Sequence, residues 1–261
     1  MKSKKAKRNI TLVYFSPGGA TKNISEIFAS AISEDIKRID LLKTPLIKTT
    51  QLSSDDLFIV VLPVFAGRIP SICPDMLRKF IGDNTPAIII SVYGNRNFDD
   101  TLLEMNDILK ENSFNIIGAA AFIARHSIFT EVAAKRPDYK DRTNIKIFAK
   151  SCMNKLDNFS DYEPLKIPGH HPYCKPTKMP IRPIGKKKTC TKCGICAKLC
   201  PTNAIDSDNP IKTDKSKCIS CMACVYHCPS HSRALYSPLY KIAKRPFKKK
   251  CKVHRKPVIL V

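Results

Sequence analysis

The sequence has no long apolar run. The longest one, at about residues 57–67, is shorter than the roughly 18 residues that a membrane-spanning helix needs. The apolar run that follows the basic amino end, residues 10–15, is too short for a signal peptide. We therefore expect a protein without a membrane span, located in the cytoplasm.

Acidic residues are also few. Lys+Arg number 45 and Asp+Glu 22, a formal net charge of +23. Residues 158–261 hold 22 basic and 5 acidic residues, a net of +17, which leaves +6 for residues 1–157. The 43% of hydrophobic residues is ordinary for a globular protein and excludes disorder of the whole chain. The excess of positive charge indicates anionic partners, which include cofactors and acidic proteins.

The first 157 residues alternate between apolar, β-rich runs and segments with apolar residues at helical spacing. We predict strands at residues 10–15, 36–42, 57–62, 87–92 and 116–124, and helices at residues 21–33, 73–80, 100–110 and 141–156. This alternation is typical of a parallel sheet with helices on both faces. Residues 1–157 are therefore predicted to form a doubly wound, parallel, five-stranded α/β domain.

The character of the chain changes after residue 157. Residues 158–185 carry six prolines and are predicted to be an extended linker laid over a surface. Residues 186–236 hold eight of the twelve cysteines. Residues 237–261 carry nine basic residues and no acidic one, a composition usual in a solvated or disordered tail, in which Cys251 would be exposed. The other isolated cysteines are expected to be unpaired thiols of a reducing compartment.

The eight clustered cysteines form a duplicated motif. Cys190-x2-Cys193-x2-Cys196-x3-Cys200-Pro recurs 28 residues later as Cys218-x2-Cys221-x2-Cys224-x3-Cys228-Pro. Three thiolates spaced in this way can wrap three corners of an iron–sulfur cube. Zinc and disulfides are the alternatives; structural zinc prefers two separated cysteine pairs, and a reducing compartment opposes disulfides.

The motif resembles the bacterial two-cluster ferredoxins over about residues 186–236, which implies a small α+β domain with two 4Fe-4S clusters. In that arrangement the fourth cysteine of each motif binds the other cluster. One ligand set would then be Cys190, Cys193, Cys196 and Cys228, and the second Cys218, Cys221, Cys224 and Cys200. We expect Ile205 and Leu235, which follow the two prolines, to close a small core.

Three loops are candidates for a flavin site because each follows a predicted strand and opens onto one edge of the sheet. The first lies between the first strand and the first helix, where amides favour a phosphate; it contains Ser16, Gly18, Gly19, Ala20 and Thr21. The second contains Pro63, Val64, Phe65, Ala66 and Gly67, and the third Tyr93, Gly94, Asn95 and Arg96. A plain glycine turn is the alternative for the first loop, and packing is the alternative for each aromatic ring.

Together the three loops resemble those of flavodoxins, and the whole order resembles the flavodoxin–ferredoxin fusion proteins of anaerobic microbes. The resemblance implies FMN, with its phosphate on residues 16–21 and its isoalloxazine between residues 63–68 and 93–98. Gly18 and Ala20 stand where flavodoxins usually carry threonine and asparagine, so a hydroxyl and an amide are absent from the phosphate shell. His126, which follows the last predicted strand, is expected to be a structural hydrogen-bonding group.

Electron transfer is the function that these features favour. The chain would relay electrons between FMN and two 4Fe-4S clusters, as a carrier or as a component of a flavin-linked oxidoreductase, and would exchange them with an acidic redox protein or flavoenzyme. One alternative is a flavin-free, tethered ferredoxin. Another is an iron–sulfur protein that binds nucleic acid through its basic tail, which is disfavoured because no nucleic-acid-binding motif is present.

Overall fold

A computed structural model gives the fold of residues 8–44, 48–157, 159, 162–175 and 180–261. The strands, in chain order, are β1 (Ile10–Tyr14), β2 (Lys37–Asp40), β3 (Thr50–Gln51), β4 (Leu57–Pro63), β5 (Phe80–Ile81), β6 (Thr85–Tyr93), β7 (Phe114–Ile123), β8 (Ile184–Gly185), β9 (Arg233–Ala234) and β10 (Val258–Leu260). The helices are α1 (Ala20–Ala29), α2 (Cys73–Leu77), α3 (Thr101–Glu111), α4 (Tyr139–Asp157), α5 (Ile195–Lys198), α6 (Ala223–Tyr226) and α7 (Pro238–Lys250).

Five parallel strands form the main sheet, as the sequence predicts. β1 pairs with β2 and β4, β4 pairs with β6, and β6 pairs with β7. In their order along the chain these five strands stand as 2-1-3-4-5, the strand order of flavodoxin-like doubly wound sheets. Every residue of β6 is buried, because helices cover both faces of the sheet. We call residues 8–157 together with β10 the sheet domain.

Two apolar cores lie on the two faces of this sheet. On one face, Phe28 of α1 and Phe122 of β7 both pack against Phe148 of α4. On the other face, Phe58 stacks between Phe80 and Phe114. The helix predicted at residues 73–80 ends at Leu77, because Phe80 is buried in this stack. The chain there forms β5, which pairs with β3 in a small separate sheet.

The carboxy-terminal segment forms a helix and a strand rather than a disordered tail, although no residue of α7 is buried and its lysines are solvated. β10 pairs antiparallel with β7 and adds a sixth strand at the edge of the parallel sheet. Tyr240 and Phe247 of α7 pack against Phe129. Cys251 is buried at 6% exposure rather than exposed. One face of α7 is aromatic although the helix is rich in lysine. A prediction that considers only the lysine content therefore misses that face.

The cysteine-rich residues form a second, smaller unit, which we call the dicluster domain. β8 pairs antiparallel with β9, so the end of the predicted linker belongs to this unit. α5 and α6 are one-turn helices placed 28 residues apart. Ile205 is buried as expected, whereas Leu235 is half-buried and Arg233 takes the buried position. None of the described helices combines the length and apolar character that crossing a membrane requires.

Candidate iron–sulfur centres and flavin site

Eight cysteines line two cavities in the dicluster domain. The first cavity encloses about 320 Å³, partly open to solvent, and its wall includes Cys200, Cys218, Cys221 and Cys224. The second encloses about 280 Å³, and its wall includes Cys190, Cys193, Cys196 and Cys228. Each cavity therefore brings together three cysteines of one motif and the fourth cysteine of the other.

The duplication of the motif is also present in its backbone. Left-handed residues recur 28 positions apart, with φ of 55° at Lys192 and Ser220, and of 73° at Gly194 and 69° at Met222. These residues bend each cysteine loop around its cavity, because a positive φ reverses the chain within one or two residues. The second loop accepts methionine where the first uses glycine, so the two loops have one geometry built from different residues.

Backbone amides point at the sulfur atoms in matching positions. The amide of Ala204 donates to Cys200 Sγ at 3.2 Å, and that of Ser232, 28 residues later, donates to Cys228 Sγ at 3.3 Å. Amide donors of this kind stabilise a thiolate and adjust the reduction potential of a cluster bound to it. The fourth cysteine of each motif is therefore prepared to carry negative charge.

The thiols differ in acidity because they differ in burial. Burial raises the pKa of Cys221 to about 12 and that of Cys224 to about 11, although Arg233 opposes the rise at Cys224. Burial also raises the pKa of Cys196. Burial alone would raise the pKa of Cys228 as well, but hydrogen bonds from the Ser230 hydroxyl and nearby amides outweigh it and leave that pKa lowered. Iron binds thiolates, so filling these cavities releases protons.

The two cavities lie at different depths. We call the cavity of Cys200, Cys218, Cys221 and Cys224 the inner cavity, because Cys221 and Ala223 pack into the core on one face of the sheet domain. We call the other the outer cavity, because its Cys193 is exposed to solvent. The inner cavity therefore adjoins the sheet domain, and the outer cavity reaches the surface.

The donor set of both cavities fits iron–sulfur clusters. Four cysteine thiolates are the ligand set of a 4Fe-4S cluster, and each cavity supplies four. Within the part of the chain that the structure describes, no three His, Cys, Asp or Glu side chains are grouped to hold a single metal ion.

The first predicted flavin loop, with Ser16, Gly18, Gly19, Ala20 and Thr21, joins β1 to α1. α1 begins at Ala20 without a side-chain cap from Gly19, and the amides of Ala20 and Thr21 have no described hydrogen-bond partner, so these two remain available to an anion. Ser16 Oγ accepts a hydrogen bond from the Lys22 amide at 2.8 Å, which fixes the loop. The ring of Tyr226, from α6, lies against Gly18, where a Cβ atom would be 2.9 Å from its Cε2.

The second predicted loop contains Pro63, Val64, Phe65, Ala66 and Gly67 and forms a tight turn after β4. Phe65 and Arg68 exchange backbone hydrogen bonds of 2.8 and 3.2 Å across it. Gly67 has a φ of 89° and lies so close to Asp99 that a side chain would collide there. Arg68 donates two hydrogen bonds of 2.7 Å to Glu104, so a bidentate ion pair anchors the turn to α3.

The third predicted loop contains Tyr93, Gly94, Asn95 and Arg96, and the carboxy-terminal segment holds it. Asn95 Nδ2 donates to the carbonyl oxygens of Cys251 at 2.8 Å and Val253 at 2.9 Å, while Asn95 Oδ1 is buried without a described partner. The ring of His126 covers Gly94, where any side chain would collide with it. The third loop is therefore fixed from two sides.

These loops meet at the carboxyl edge of the sheet, where doubly wound folds bind ligands. The amides of residues 66, 67 and 94–96 have no hydrogen-bond partner among the described residues, and Asn95 Oδ1 has none either. Unpartnered donors and acceptors are what the edge of an isoalloxazine ring requires, so the residues present fit FMN. Tyr226 restricts the approach to the phosphate loop at Gly18.

Sequence reasoning missed two residues of these sites. Tyr226 lies only two residues from Cys228, but nothing in the motif indicates that it reaches the first flavin loop and donates to the Ser127 carbonyl at 2.9 Å. Arg233 lies in the wall of the outer cavity. The signal for Arg233 was present, because superposing the two motifs aligns it with Ile205.

Comparisons with known proteins agree with this division of the chain. Residues 189–234 match the family described as a 4Fe-4S dicluster domain. An uncharacterised protein of Methanothermobacter thermautotrophicus is 38% identical over 52 residues, 19% of this chain and 11% of that protein. The chain thus spans about a tenth of the curated relative that it matches.

Similar solved structures include an oxidoreductase and a flavodoxin. The rubredoxin oxygen:oxidoreductase from the anaerobe Desulfovibrio gigas is 13% identical over 60% of this chain and 38% of that chain, with a TM-score of 0.44. A short-chain flavodoxin associated with a bacterial microcompartment is 11% identical over 57% of this chain and 99% of that chain, with a TM-score of 0.43. The chain joins a flavodoxin-like sheet domain, established by strand order, to a carboxy-terminal 4Fe-4S dicluster domain, and electron transfer is the chemistry that such a domain indicates.

Proposed function

We propose that this chain is an electron-transfer protein that holds two 4Fe-4S clusters on crossed ligand sets. Cys200, Cys218, Cys221 and Cys224 would hold one cluster in the inner cavity, and Cys190, Cys193, Cys196 and Cys228 the other in the outer cavity. The observation that carries the proposal is the composition of the two cavity walls, each with three cysteines of one motif and the fourth of the other. The clusters supply one-electron redox chemistry.

FMN at the carboxyl edge of the sheet completes the proposal. The phosphate would rest on residues 16–21, and the isoalloxazine would lie between residues 63–68 and 93–98. FMN exchanges one or two electrons when bound, which suits a converter beside one-electron centres. The unpartnered amides of residues 66, 67 and 94–96 support this site. The packing of the inner cavity against the sheet domain supports a path between the two parts of the chain.

A flavin-free, tethered ferredoxin is the second candidate. Two observations favour it. Tyr226 lies against Gly18, and the side-chain amide of Asn95 is occupied by two carbonyl oxygens of the carboxy-terminal segment. The sheet domain would then serve as a scaffold that buries one side of the inner cavity.

Quantifying iron, acid-labile sulfide and flavin on one anaerobically purified sample separates these candidates. About eight irons per chain with one FMN is the expected result. About eight irons without FMN, and without FMN uptake on titration, would favour the tethered ferredoxin. Neither iron nor flavin would refute both. Tight copurification of nucleic acid with an iron-containing protein that neither holds nor takes up flavin would indicate the nucleic-acid-binding alternative.

Single cysteine variants test the crossed ligand sets. We expect Cys228→Ala to lose the outer cluster and keep the buried inner one, so its remaining iron, about four per chain, should resist a water-soluble chelator. Cys200→Ala, the matched control, should keep the outer cluster, whose ligand Cys193 is exposed, and should lose its iron to the chelator quickly. The opposite pattern of resistance would mean that each motif holds its own cluster.

A further inference from the structure

Arg233 is a buried cation inside the dicluster domain. Its exposure is 2%, and it lies five residues after Cys228, just as Ile205 lies five residues after Cys200. Ile205 packs in the small apolar core between the motifs. The duplicated unit therefore has an apolar side chain in one copy and a guanidinium in the equivalent position of the other.

The contacts of Arg233 leave its charge uncompensated by protein. Its terminal nitrogens donate to the carbonyl oxygens of Pro210 and Pro183, the latter at 2.9 Å, and to the Thr213 hydroxyl. Its Nε is buried without a described partner. Partly buried arginines elsewhere, such as Arg136 with Asp141, pair with a carboxylate, whereas none of the described carboxylates pairs with Arg233.

A buried charge without a partner strongly destabilises a fold, so a compensating negative charge is expected nearby. Arg233 lies in the wall of the outer cavity. Its hydrogen-bond partner Thr213 lies in the wall of the inner cavity, so Arg233 stands between the two sites. The Pro210 carbonyl, which accepts a hydrogen bond from Arg233, lies 3.9 Å from Cys196 Sγ, so the guanidinium stands one group away from that cysteine.

We propose that Arg233 is the internal counter-ion of both iron–sulfur sites and raises their reduction potentials. This inference rests on the proposed function for the two ligand sets. A 4Fe-4S cluster with four thiolates carries about −2 when oxidised and about −3 when reduced. A fixed cation beside it favours the reduced form more than the oxidised one, and little water intervenes to screen the interaction.

The test compares variants that keep or remove the charge. Arg233→Gln is neutral and keeps an amide donor on a shorter side chain, and Arg233→Ile copies the first motif. Arg233→Lys keeps the charge but not the planar fork. Anaerobic spectroelectrochemical titration of the full chain measures the reduction equilibrium of each cluster. We expect the neutral variants to lower the equilibrium constant for reduction at least tenfold, about 59 mV for one electron, and Arg233→Lys to stay within about threefold.

Thr213→Val is the matched control, because it removes one hydrogen bond to Arg233 and leaves the charge in place. Thr213 lies in the wall of the inner cavity but not of the outer one, so this variant should keep the wild-type potential of the outer cluster. Unchanged potentials in an Arg233→Gln protein with full iron would overturn the proposal while leaving the proposed function intact, whereas absence of iron from the wild-type protein would remove both.

Cluster assembly provides a second readout if the neutral variants do not hold iron. The counter-ion role would be supported if Arg233→Lys retains iron while Arg233→Gln and Arg233→Ile lose it. The positive charge is the property that Arg233→Lys has and both neutral variants lack. Equal loss of iron from all three would mean that the planar fork is needed for packing, and would overturn the proposal.

Discussion

His126 is neutral in the folded protein. Burial, with a smaller contribution from the nearby charge of Arg96, lowers its pKa from 6.5 to about 4. Its Nδ1 accepts hydrogen bonds of 3.0 Å from the amides of Ile128 and Phe129, so this nitrogen carries no proton. The ring also covers Gly94 in the third flavin loop and contacts Phe247 of α7. Protonation would break the amide contacts.

We therefore expect acid to weaken the protein through His126. Between pH 6.5 and 4 the unfolded chain binds a proton that the folded chain does not, so stability falls as the pH falls through this window. From pH 7 to pH 5 the loss is about 2 kcal/mol. The midpoint of anaerobic thermal unfolding should fall between pH 7 and pH 5 in the wild-type protein. In His126→Asn, which keeps an acceptor near the position of Nδ1, this fall should be smaller by about 5 °C. Equal decreases in both proteins would contradict a neutral, buried His126.

Spacing alone made the eight cysteines predictable, whereas the charged and aromatic residues around them were not. The crossed ligand sets are an expectation that comes from the resemblance to the two-cluster ferredoxins. The burial of Arg233 is indicated only by aligning the two motifs, which places it opposite the buried Ile205. Sequence reasoning missed it, because arginine is usually a surface residue and Leu235 appeared to be the apolar partner. The position of Tyr226 depends on how the two domains pack, which no local pattern contains.

At the scale of elements, β10 has two unlike faces. Val258 and Leu260 pack against the core of the sheet domain, whereas Ile259 points the other way and is 38% exposed. The strand pairs with Ala119–Ala121 of β7, which would otherwise be a bare sheet edge. The side chains of Val258 and Leu260, rather than the pairing alone, hold β10 in place.

We expect Leu260→Ala to loosen β10 and Ile259→Ala to have little effect. Loss of the packed side chain should destabilise local closure by about 1–2 kcal/mol, which corresponds to about tenfold faster amide exchange in β7. Hydrogen–deuterium exchange of a peptide containing residues 114–123, in the cluster-loaded protein, measures this. Similar exchange in the two variants would show that backbone pairing suffices.

The elements of the parallel sheet were predictable because strands buried on both faces are continuous apolar runs, as in β4 and β6. β10 and α7 were not, because only three apolar residues mark the strand and lysines dominate the helix. Their stability comes from surfaces far away in sequence, on β7 and around Phe129. Tertiary contacts therefore override composition in this segment.

At the scale of the molecule, the outer cavity opens onto a basic surface. Residues 186–200 carry five lysines, all exposed, and no acidic residue, and they surround the exposed Cys193. We call these residues (Lys186, Lys187, Lys188, Lys192 and Lys198) the outer lysine surface. Under the proposed function, an acidic redox protein would dock there, because the outer cavity is the site with an exposed cysteine.

Charge reversal tests this docking. The double variant Lys187→Glu with Lys192→Glu should lower the second-order rate of electron exchange with a small acidic one-electron carrier about tenfold at low ionic strength. The difference should shrink as added salt shortens the Debye length. Lys248→Glu with Lys249→Glu, on the equally basic α7, is the control and should leave the rate nearly unchanged. A decrease confined to the α7 variant would place docking there instead.

Because β10 returns to the sheet domain, the dicluster domain is inserted into the first domain rather than appended to it. On the amino-terminal side, the amides of His170 and Cys174 donate to Asp100 at 2.9 and 2.6 Å. On the carboxy-terminal side, β10 is a strand of the main sheet. A domain that moves as a mobile carrier is attached at one end only, whereas the dicluster domain is attached to the sheet domain at both ends. The distance between the inner cavity and the three predicted flavin loops is therefore set by the architecture. Under the proposed function, electrons pass between them without a hinge motion.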